Sequence, residues 1–385
     1  MSVGRQPSAP LCVDVPLGER AYAVLVGPDI IAEAGSRIAD RLGRRRAIVV
    51  TDEVVAGLHL DRLEAALASE GIRALTHVVP EGEGSKCLEV LGGTVDAILD
   101  AELERGDVVI ALGGGVVGDL AGFAAAVTRR GMPFVQVPTT LLAQVDSAVG
   151  GKTGINTRHS KNLVGAFHQP ALVLADTTTL GTLPARHRRA GYAEIVKMGL
   201  LGDAAFFDRL ERLGAAAMHE DIAGTIATAV AGKAAIVVED ERESGRRALL
   251  NLGHTFAHAV ERCAGYDGRI VHGEAVGLGL ALAFRLSVAL GICPREDAGR
   301  VEAHLAAVGL PTSFRDVPVC LGAAELAAAM QQDKKVKDGV IRFVLARRIG
   351  DAFVSSGVAP DALAAFLVSE GLPERLGEKE TVPAP

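Results

Sequence analysis

Residues 107–119, which read DVVIALGGGVVGD, join a run of β-branched and aliphatic side chains to three consecutive glycines. Residues 107–112 have the composition of a buried β-strand, and residues 120–126 after the glycines have that of a helix. Residues 113–118 fit the pattern G-x-G-x-x-G, in which glycines let the backbone approach a pyrophosphate and the helix N-terminus offers free N–H groups. The stretch predicts a strand–turn–helix unit that binds a dinucleotide, with a tight turn that binds no ligand as the alternative.

The rest of the first half alternates strand and helix signals. Residues 47–51, 134–137 and 172–175 read as further buried strands, and a helical stretch contains Leu63 and Leu67. Such alternation predicts a mainly parallel sheet covered by helices. No acidic residue ends the strand at 134–137, where one would bind the ribose of a dinucleotide. The candidates for ribose recognition are therefore Asp52 and residues 81–86. Residues 81–86 are alternatively interpreted as a solvated acidic turn.

From about Leu183 the pattern becomes helical, with long Ala-, Leu- and Val-rich stretches at residues 221–239, 274–290 and 298–308. A chain of 385 residues suits two domains. We therefore expect an α/β domain over residues 1–182 and a helical domain over residues 183–370. Residues 371–385 mix Pro, Glu and Lys without apolar periodicity, which predicts a mobile tail.

Composition excludes several classes of protein. A net charge of −7 leaves the chain as a whole without a basic face for nucleic acid. No apolar run is expected to approach the ~18–20 residues that span a bilayer, and residues 1–11 lack the apolar segment of a signal peptide. The five cysteines include no C-x-x-C pair and predict free thiols in a reducing compartment, so we expect a cytoplasmic protein.

Glu194, His254 and His272 supply one carboxylate and two imidazoles. That is the set of three protein ligands found in catalytic Zn²⁺ sites, which keep a further position open for substrate. His258, four residues after His254, is either another ligand or a proton shuttle beside the metal. The isolated histidines are interpreted as hydrogen-bonded core residues: His59, His77 and His304.

Cationic side chains recur beside glycine or polar motifs: Lys152 in VGGKTG, Lys161 before Asn162, Lys197 three residues after Glu194, and Lys334 with Lys335 after Asp333. If one helix reaches back far enough, Arg247, Asn251, His254 and His258 share a helical face. Any single lysine is best explained as solvated surface. As a set in a net acidic chain, these cations favour an anionic substrate that bears phosphate or carboxylate.

Four blocks of sequence resemble the 3-dehydroquinate synthase family of the sugar phosphate cyclase superfamily: LGGGVVGDLAGFAAA at 112–126, QVPTTLLAQVDSAVGGKTGIN at 136–156, KNLVGAFHQP at 161–170 and NLGHTF at 251–256. The resemblance runs from about residue 20 to residue 365. It implies a Rossmann-like, NAD-binding α/β N-terminal domain, an all-α C-terminal domain, an active site in the interdomain cleft and a homodimer. The chain departs from the family at Tyr192, where Leu or Met is usual, and at Ala257, where Gly is usual.

The resemblance also implies roles for individual residues. Zn²⁺, or alternatively Co²⁺, would be bound by Glu194, His254 and His272. NAD⁺ would be contacted by Glu81, Gly82, Glu83, Gly84, Ser85, Lys86, Gly115, Val116, Val117, Gly118, Asp119, Thr139, Thr140, Lys152, Lys161, Thr179, Leu180, Gly181 and Thr182. The substrate would be contacted by Asp146, Lys152, Asn162, Lys197, Lys233, Arg247, Asn251, His258 and either Lys334 or Lys335. Arg130 would reach the phosphate site of a partner subunit, and Glu243 and His258 would transfer protons.

The implied reaction converts the sugar phosphate 3-deoxy-D-arabino-heptulosonate 7-phosphate to 3-dehydroquinate and phosphate, a carbon–oxygen lyase step of aromatic amino acid biosynthesis through shikimate and chorismate. It combines transient oxidation by NAD⁺, elimination of phosphate, reduction and an intramolecular aldol closure. The alternatives are a cyclase of the 2-epi-5-epi-valiolone synthase type, an NAD-dependent metal alcohol dehydrogenase and a non-catalytic binding protein on the same fold. The combination of Arg247, Asn251 and Lys334 favours a substrate that bears a carboxylate.

Overall fold

A computed structural model of the chain describes residues 9–243, 245–331 and 341–376. These residues form two compact units. The first unit contains the described residues up to 191 together with residues 220–242. The second contains residues 192–219 and the described residues from 243 onwards.

The first unit is built on a seven-stranded sheet in the order β1-β2-β9-β6-β5-β3-β4. Its neighbouring strands are parallel except for β1 and β2, which confirms the predicted mainly parallel sheet. A separate antiparallel hairpin pairs β7 with β8. The strands are β1 Leu11–Val15, β2 Tyr22–Gly27, β3 Ala47–Asp52, β4 Ala74–Val79, β5 Val108–Gly113, β6 Phe134–Pro138, β7 Lys152–Ile155, β8 Val164–Phe167 and β9 Leu172–Asp176.

Helices cover both faces of this sheet, because alternate residues of its central strands point to opposite sides. Val49 and Ile110 pack on one face and Ile48 and Val109 on the other. The first unit contains α1 Ala34–Leu42, α2 Glu53–Val55, α3 Asp61–Ser69, α4 Leu88–Asp100 and α5 Gly115–Val127. Helix α6 Ala185–Gly202 is divided between the units after residue 191, α7 Ala204–Leu213 belongs to the second unit and α8 Ile222–Glu239 to the first. The predicted helices around Leu63 and after the glycine loop are thus confirmed.

Helix α8 corrects one expectation from the sequence. Its 18 residues have a mean hydropathy of 1.5, so it is long and apolar enough to cross a membrane by length and composition alone. The expectation that no apolar run approaches that length is wrong. In the structure α8 packs against β1 and β2, and its buried Lys233 places Nζ 2.6 Å from Oδ1 of Asp146. One face of the helix is therefore buried in the first unit, with 44% of its residues inside the structure.

The second unit is mainly helical, as expected, and also contains a two-stranded hairpin. Its remaining elements are α9 His254–Cys263, α10 His272–Ala289, α11 Arg295–Ala307, α12 Ala323–Gln331, β10 Phe343–Arg348, β11 Asp351–Ser355 and α13 Pro360–Ser369. The three long helical stretches predicted from sequence correspond to α8, α10 and α11. The domain boundary after residue 182 stays a prediction; the compact units divide within α6, and α8 joins the first. Residues 377–385 of the predicted tail lie outside the described residues.

Helices α9 and α10 pack with their backbones in contact at two glycines. A Cβ atom on Gly279 of α10 would lie 2.1 Å from the carbonyl oxygen of Gly253, the residue before α9. Gly253 has a φ of +79° and lies equally close to α10, since its own Cβ would be 2.7 Å from the backbone N of Leu280. Only glycine at both positions permits this approach.

Two of the isolated histidines are hydrogen-bonded core residues, as predicted. Nε2 of His59 lies 3.1 Å from Oγ1 of Thr182, and Nε2 of His304 lies 3.2 Å from the hydroxyl of Tyr192. His77 is only half-buried, on β4. Burial lowers the pKa of all three imidazoles. The five cysteines all lie among the described residues and form no disulfide, also as predicted.

Gly279→Ala tests the contact between α9 and α10. The added methyl group overlaps the Gly253 carbonyl, so we expect the free energy of unfolding to fall by about 1–3 kcal/mol, the usual effect of overpacking. Gly299→Ala is the matched control, because a Cβ on this exposed glycine of α11 would have nothing within 4 Å. It should raise stability by about 0.5–1 kcal/mol. Denaturant unfolding measures both, and a Gly279→Ala protein as stable as the parent would contradict the packing argument.

His304→Gln tests the buried neutral imidazole of α11. Nδ1 of His304 is buried and has no hydrogen-bond partner among the described residues, so the charge gained on protonation would be poorly solvated, and the nearby Glu211 offsets this only in part. The folded-state pKa lies below the unfolded value of about 6.5, so the folded protein binds fewer protons. The stabilisation that His304 provides is therefore complete above about pH 6.5 and is lost as the pH falls through the folded-state pKa.

The measurement is the difference in unfolding free energy between the parent and His304→Gln from pH 8 to pH 5. Contributions from His59 and His77 cancel in this difference. We expect the unfolding free energy of the parent to decrease relative to that of His304→Gln as the pH falls below about 6.5. A difference that stays constant over the whole range would rule out the titration of this residue.

Candidate active site

Three residues from separate helices of the second unit converge on one point. Glu194 lies in α6, His254 begins α9 and His272 begins α10. One nitrogen or oxygen atom from each residue lies within 4.8 Å of the others. The structure therefore brings together the three residues that the sequence selected as metal ligands.

The Glu194 carboxylate is at the centre of this group and is only 1% exposed. Its Oε1 lies 3.5 Å from Nε2 of His254 and 3.7 Å from Nε2 of His272. Oε1 accepts no hydrogen bond from the described residues. Oε2 forms an ion pair with Nζ of Lys197, three residues further along the same helix, as the spacing predicted. Lys197 thus offsets the charge of the buried carboxylate.

The other ring nitrogen of each histidine has a fixed partner. Nδ1 of His254 lies 3.1 Å from the carbonyl oxygen of Leu252, and Nδ1 of His272 lies 3.1 Å from Oε2 of Glu261. Both partners are acceptors, so they favour the tautomer in which Nδ1 donates and Nε2 presents its lone pair. Two imidazole lone pairs and a carboxylate oxygen facing one point repel each other unless a cation lies between them. The site therefore fits a divalent metal ion that accepts nitrogen and oxygen ligands, such as Zn²⁺.

His258 lies one turn after His254 on α9, with ring centroids 5.4 Å from that of His254 and 6.2 Å from that of His272. Among the described residues, the group of converging donor atoms does not include it. The sequence predicted that His258 is either another metal ligand or a proton shuttle beside the metal. This placement favours the proton shuttle.

Arg247 and Asn251 do not continue the helix of His254, so the predicted continuous helical face is wrong. They lie in a short 3₁₀ helix, Arg246–Asn251, and the chain bends at Leu252 and Gly253 before α9 begins. Arg247 is fully buried, and Nδ2 of Asn251 lies 3.3 Å from Oε1 of Glu243. Lys334 and Lys335 lie outside the described residues.

The glycine loop in the first unit has the predicted strand–turn–helix geometry. Strand β5 ends at Gly113, Gly114 is the N-cap, and α5 begins at Gly115. A Cβ on Gly115 would lie 2.9 Å from Oγ of Ser147, and one on Gly118 would lie 2.5 Å from Oε1 of Gln136. No side chain at the N-cap competes for the first N–H groups of α5, so they can bind an anion such as a pyrophosphate.

Lys86 connects two other predicted contact residues. Its Nζ is buried and lies 2.6 Å from Oδ2 of Asp119 and 2.6 Å from Oδ1 of Asn162. Burial raises the pKa of Asp119, and the Lys86 ammonium opposes that shift. Within the same segment, Oε1 of Glu83 accepts from Nδ2 of Asn156 at 2.7 Å and lies 3.9 Å from Nζ of Lys161. Residues 81–84 are exposed, as in a solvated turn, but Ser85 and Lys86 are buried.

Gln144 forms hydrogen bonds to the backbone beside two other segments that are predicted to contact NAD⁺, residues 139–140 and 179–182. Its Nε2 donates to the carbonyl oxygens of Pro138 and Asp176 and to Oγ1 of Thr179, at 3.1, 2.9 and 3.3 Å. It thereby fixes Thr139 and Thr140 beside Pro138, and it fixes the 3₁₀ helix Thr177–Gly181, which contains Leu180 and precedes Thr182. Gln144 was not among the predicted site residues, although it lies in the QVPTTLLAQVD block that carries the resemblance.

The remaining predicted residues of the first unit are placed as follows. Asp146 pairs with Lys233, as described above. Lys152 is exposed at the start of β7, and Arg130 is exposed with a φ of +62°. Asp52, an alternative for ribose recognition, uses Oδ1 to cap the N-terminus of α2, accepting from Val54 and Val55 at 3.0 and 2.9 Å.

Sequence reasoning also missed Glu261, the buried acidic residue that contacts His272. The spacing of four and then three residues from His254 through His258 to Glu261 places all three on one face of α9, a signal that was available in the sequence.

Two family models match consecutive parts of the chain. One, described as 3-dehydroquinate synthase N-terminal, matches residues 76–190, and one described as 3-dehydroquinate synthase C-terminal matches residues 191–336. The curated 3-dehydroquinate synthase of Ruegeria sp. (strain TM1040) is 58% identical over 90% of this chain and 94% of its own length. That of Caulobacter vibrioides is 56% identical over 93% of this chain and 98% of its own.

Solved structures show the same fold. ValA, the 2-epi-5-epi-valiolone synthase from Streptomyces hygroscopicus subsp. jinggangensis 5008, was solved with NAD⁺ and Zn²⁺ bound. It superposes with a TM-score of 0.82 at 33% identity, over 96% of this chain and 99% of ValA. The glycerol dehydrogenase from Schizosaccharomyces pombe, at 17% identity and a TM-score of 0.61 over 90% of this chain and 88% of its own, shares the fold alone. Since the two family models together match more than half of the chain and curated relatives exceed 50% identity over nearly its whole length, the chain belongs to the 3-dehydroquinate synthase family.

Proposed function

We propose that the chain converts 3-deoxy-D-arabino-heptulosonate 7-phosphate to 3-dehydroquinate and phosphate, as a phosphate-eliminating carbon–oxygen lyase. The observation that supports this most directly is the convergence of Glu194, His254 and His272 in a chain of this family. We further propose a cytoplasmic homodimer, with an α/β domain over residues 1–182 and a helical domain over residues 183–370.

The proposal assigns one cofactor to each unit. Glu194, His254 and His272 would hold Zn²⁺ or Co²⁺, and the N-terminus of α5 with residues 81–86 would hold NAD⁺. When bound, the metal ion would polarise a substrate hydroxyl and NAD⁺ would provide a reversible hydride acceptor, so that no net oxidation results. The chain's residues bind and orient the reactants for phosphate elimination and ring closure.

Cationic residues would position the anionic substrate. Lys152 and Arg130 are exposed, so phosphate can reach their charged groups from solvent. Lys233 and Arg247 are buried, and Lys233 already holds Asp146. We therefore assign to buried cations such as Lys233 the additional task of fixing neighbouring contact residues. Glu243 and His258 would transfer protons, and Glu243 is held close to Asn251.

A second candidate is a cyclase of the 2-epi-5-epi-valiolone synthase type, which the similarity to ValA supports. Such an enzyme accepts a sugar phosphate without a carboxylate. Arg247 and Asn251, together with Lys334, suit an additional anionic group and favour the heptulosonate.

The function is tested by phosphate release from 3-deoxy-D-arabino-heptulosonate 7-phosphate, measured beside sedoheptulose 7-phosphate. We expect release from the first substrate with NAD⁺ needed only in catalytic amount, because hydride is returned in each cycle. Preferential turnover of sedoheptulose 7-phosphate would favour the second candidate. Steady net production of NADH on a simple alcohol would favour a dehydrogenase instead.

The metal ligands are tested with His272→Ala, for which we expect loss of bound zinc together with loss of phosphate release. His258→Ala is the matched control, because it removes a nearby imidazole that is outside the converging group. It should retain zinc and lose activity through proton transfer. Metal content after dialysis and the phosphate assay distinguish the two variants. Zinc content and activity at the parent level in His272→Ala would refute the assignment.

A further inference from the structure

Glu261 is a buried carboxylate with a specific partner at the metal site. It lies in the last turns of α9, is only 5% exposed, and places Oε2 3.1 Å from Nδ1 of His272. Nδ1 is the ring nitrogen on the far side of the imidazole from Nε2, which faces Glu194. Glu261 therefore touches a proposed ligand without belonging to the converging group itself.

The burial of this carboxylate needs a physical reason, because removing a charged group from water is costly unless the group is paired and hydrogen-bonded. The fold provides one. His254 and Glu261 lie seven residues apart on one face of α9, and α9 packs against α10, where His272 is the first residue. The same face of α9 thus carries the proposed ligand His254 and the carboxylate of Glu261, which contacts the other proposed histidine ligand, His272.

The two histidines differ in how firmly their surroundings hold them. His254 is buried, and its Nδ1 faces a backbone carbonyl. The His272 side chain is 31% exposed, so less packing fixes its ring. A charged acceptor at Nδ1 compensates for that weaker packing, because hydrogen bonds to ionised groups are stronger than neutral ones.

We propose that Glu261 is a positioning residue of the metal centre. It accepts the Nδ1 proton of His272 and so holds the imidazole in the tautomer and orientation that present Nε2 to the metal. Outer carboxylate–histidine pairs of this kind support zinc ligands generally. The inference rests on the proposed metal site in the second unit and adds a residue to it.

The test compares Glu261→Ala and Glu261→Gln in the full-length chain. The dissociation constant for Zn²⁺ is measured by competition with a chromophoric chelator, and the ligand field is measured from the absorption spectrum of the Co²⁺-loaded protein. We expect Glu261→Ala to weaken Zn²⁺ binding by about 10–100-fold and to change the Co²⁺ spectrum. Glu261→Gln keeps an acceptor oxygen at the same place, so it should recover the Co²⁺ spectrum and part of the affinity.

Glu302→Gln is the matched control. It makes the same chemical change in the second unit, at a half-exposed carboxylate 3.3 Å from Arg285. Its Zn²⁺ affinity and Co²⁺ spectrum should equal those of the parent.

A purely structural role for Glu261 predicts a different result. The hydrogen bond between Glu261 and His272 also joins the two ends of the loop between α9 and α10. If that were its only role, its loss would lower the melting temperature of the metal-free chain and leave the Zn²⁺ affinity unchanged. Parent-like affinity and an unaltered Co²⁺ spectrum in both Glu261 variants would overturn the inference alone. Failure of the parent chain to bind Zn²⁺ would instead overturn the proposed metal site, and this inference with it.

Discussion

The backbone contact between α9 and α10 sets the geometry on which the proposed metal site depends. Gly253 and Gly279 let the two helices meet without intervening side chains, and His254 follows Gly253 directly. His272 begins α10, two turns before Gly279. A wider separation of these helices would move His254 and Glu261 away from His272 together. The two glycines therefore contribute to the geometry of the proposed ligands although neither has a side chain that could bind the metal.

Three buried lysines among the described residues each lie beside a carboxylate, so their charges are compensated within the protein. Lys197 pairs with Glu194, Lys86 with Asp119, and Lys233 with Asp146. Replacing one of these lysines leaves its carboxylate without that compensation. The loss is most destabilising for Glu194, because its side chain is only 1% exposed whereas those of Asp119 and Asp146 are 17% and 30% exposed. Substitution of a buried lysine therefore affects stability as well as binding.

The sequence predicted the parts of the structure that follow from local pattern. Runs of β-branched residues predicted the central strands, and the glycines after β5 predicted the turn into α5. The assignment of α8 to the first unit was not predictable in the same way. The apolar composition of a helix indicates that it is buried, but it does not indicate which other elements pack against it. The contact between Glu261 and His272 depends on how α9 pairs with α10 across the intervening loop, which residue spacing within one helix does not determine. The break before α9 was signalled by Gly253, yet the spacing of Arg247, Asn251 and His254 suggested a continuous helix.

The network around Lys86 links residues that the family resemblance assigns to different ligands. Asp119 lies in the first turns of α5, next to the glycine loop proposed for NAD⁺, and Asn162 is a proposed substrate contact. One buried ammonium bonds to both at 2.6 Å. Because a lysine ammonium is a compact charge that can donate to several acceptors, displacement of either partner changes the environment of the other. In the first unit, the proposed cofactor and substrate contacts are therefore coupled through a residue whose own charge is buried away from solvent.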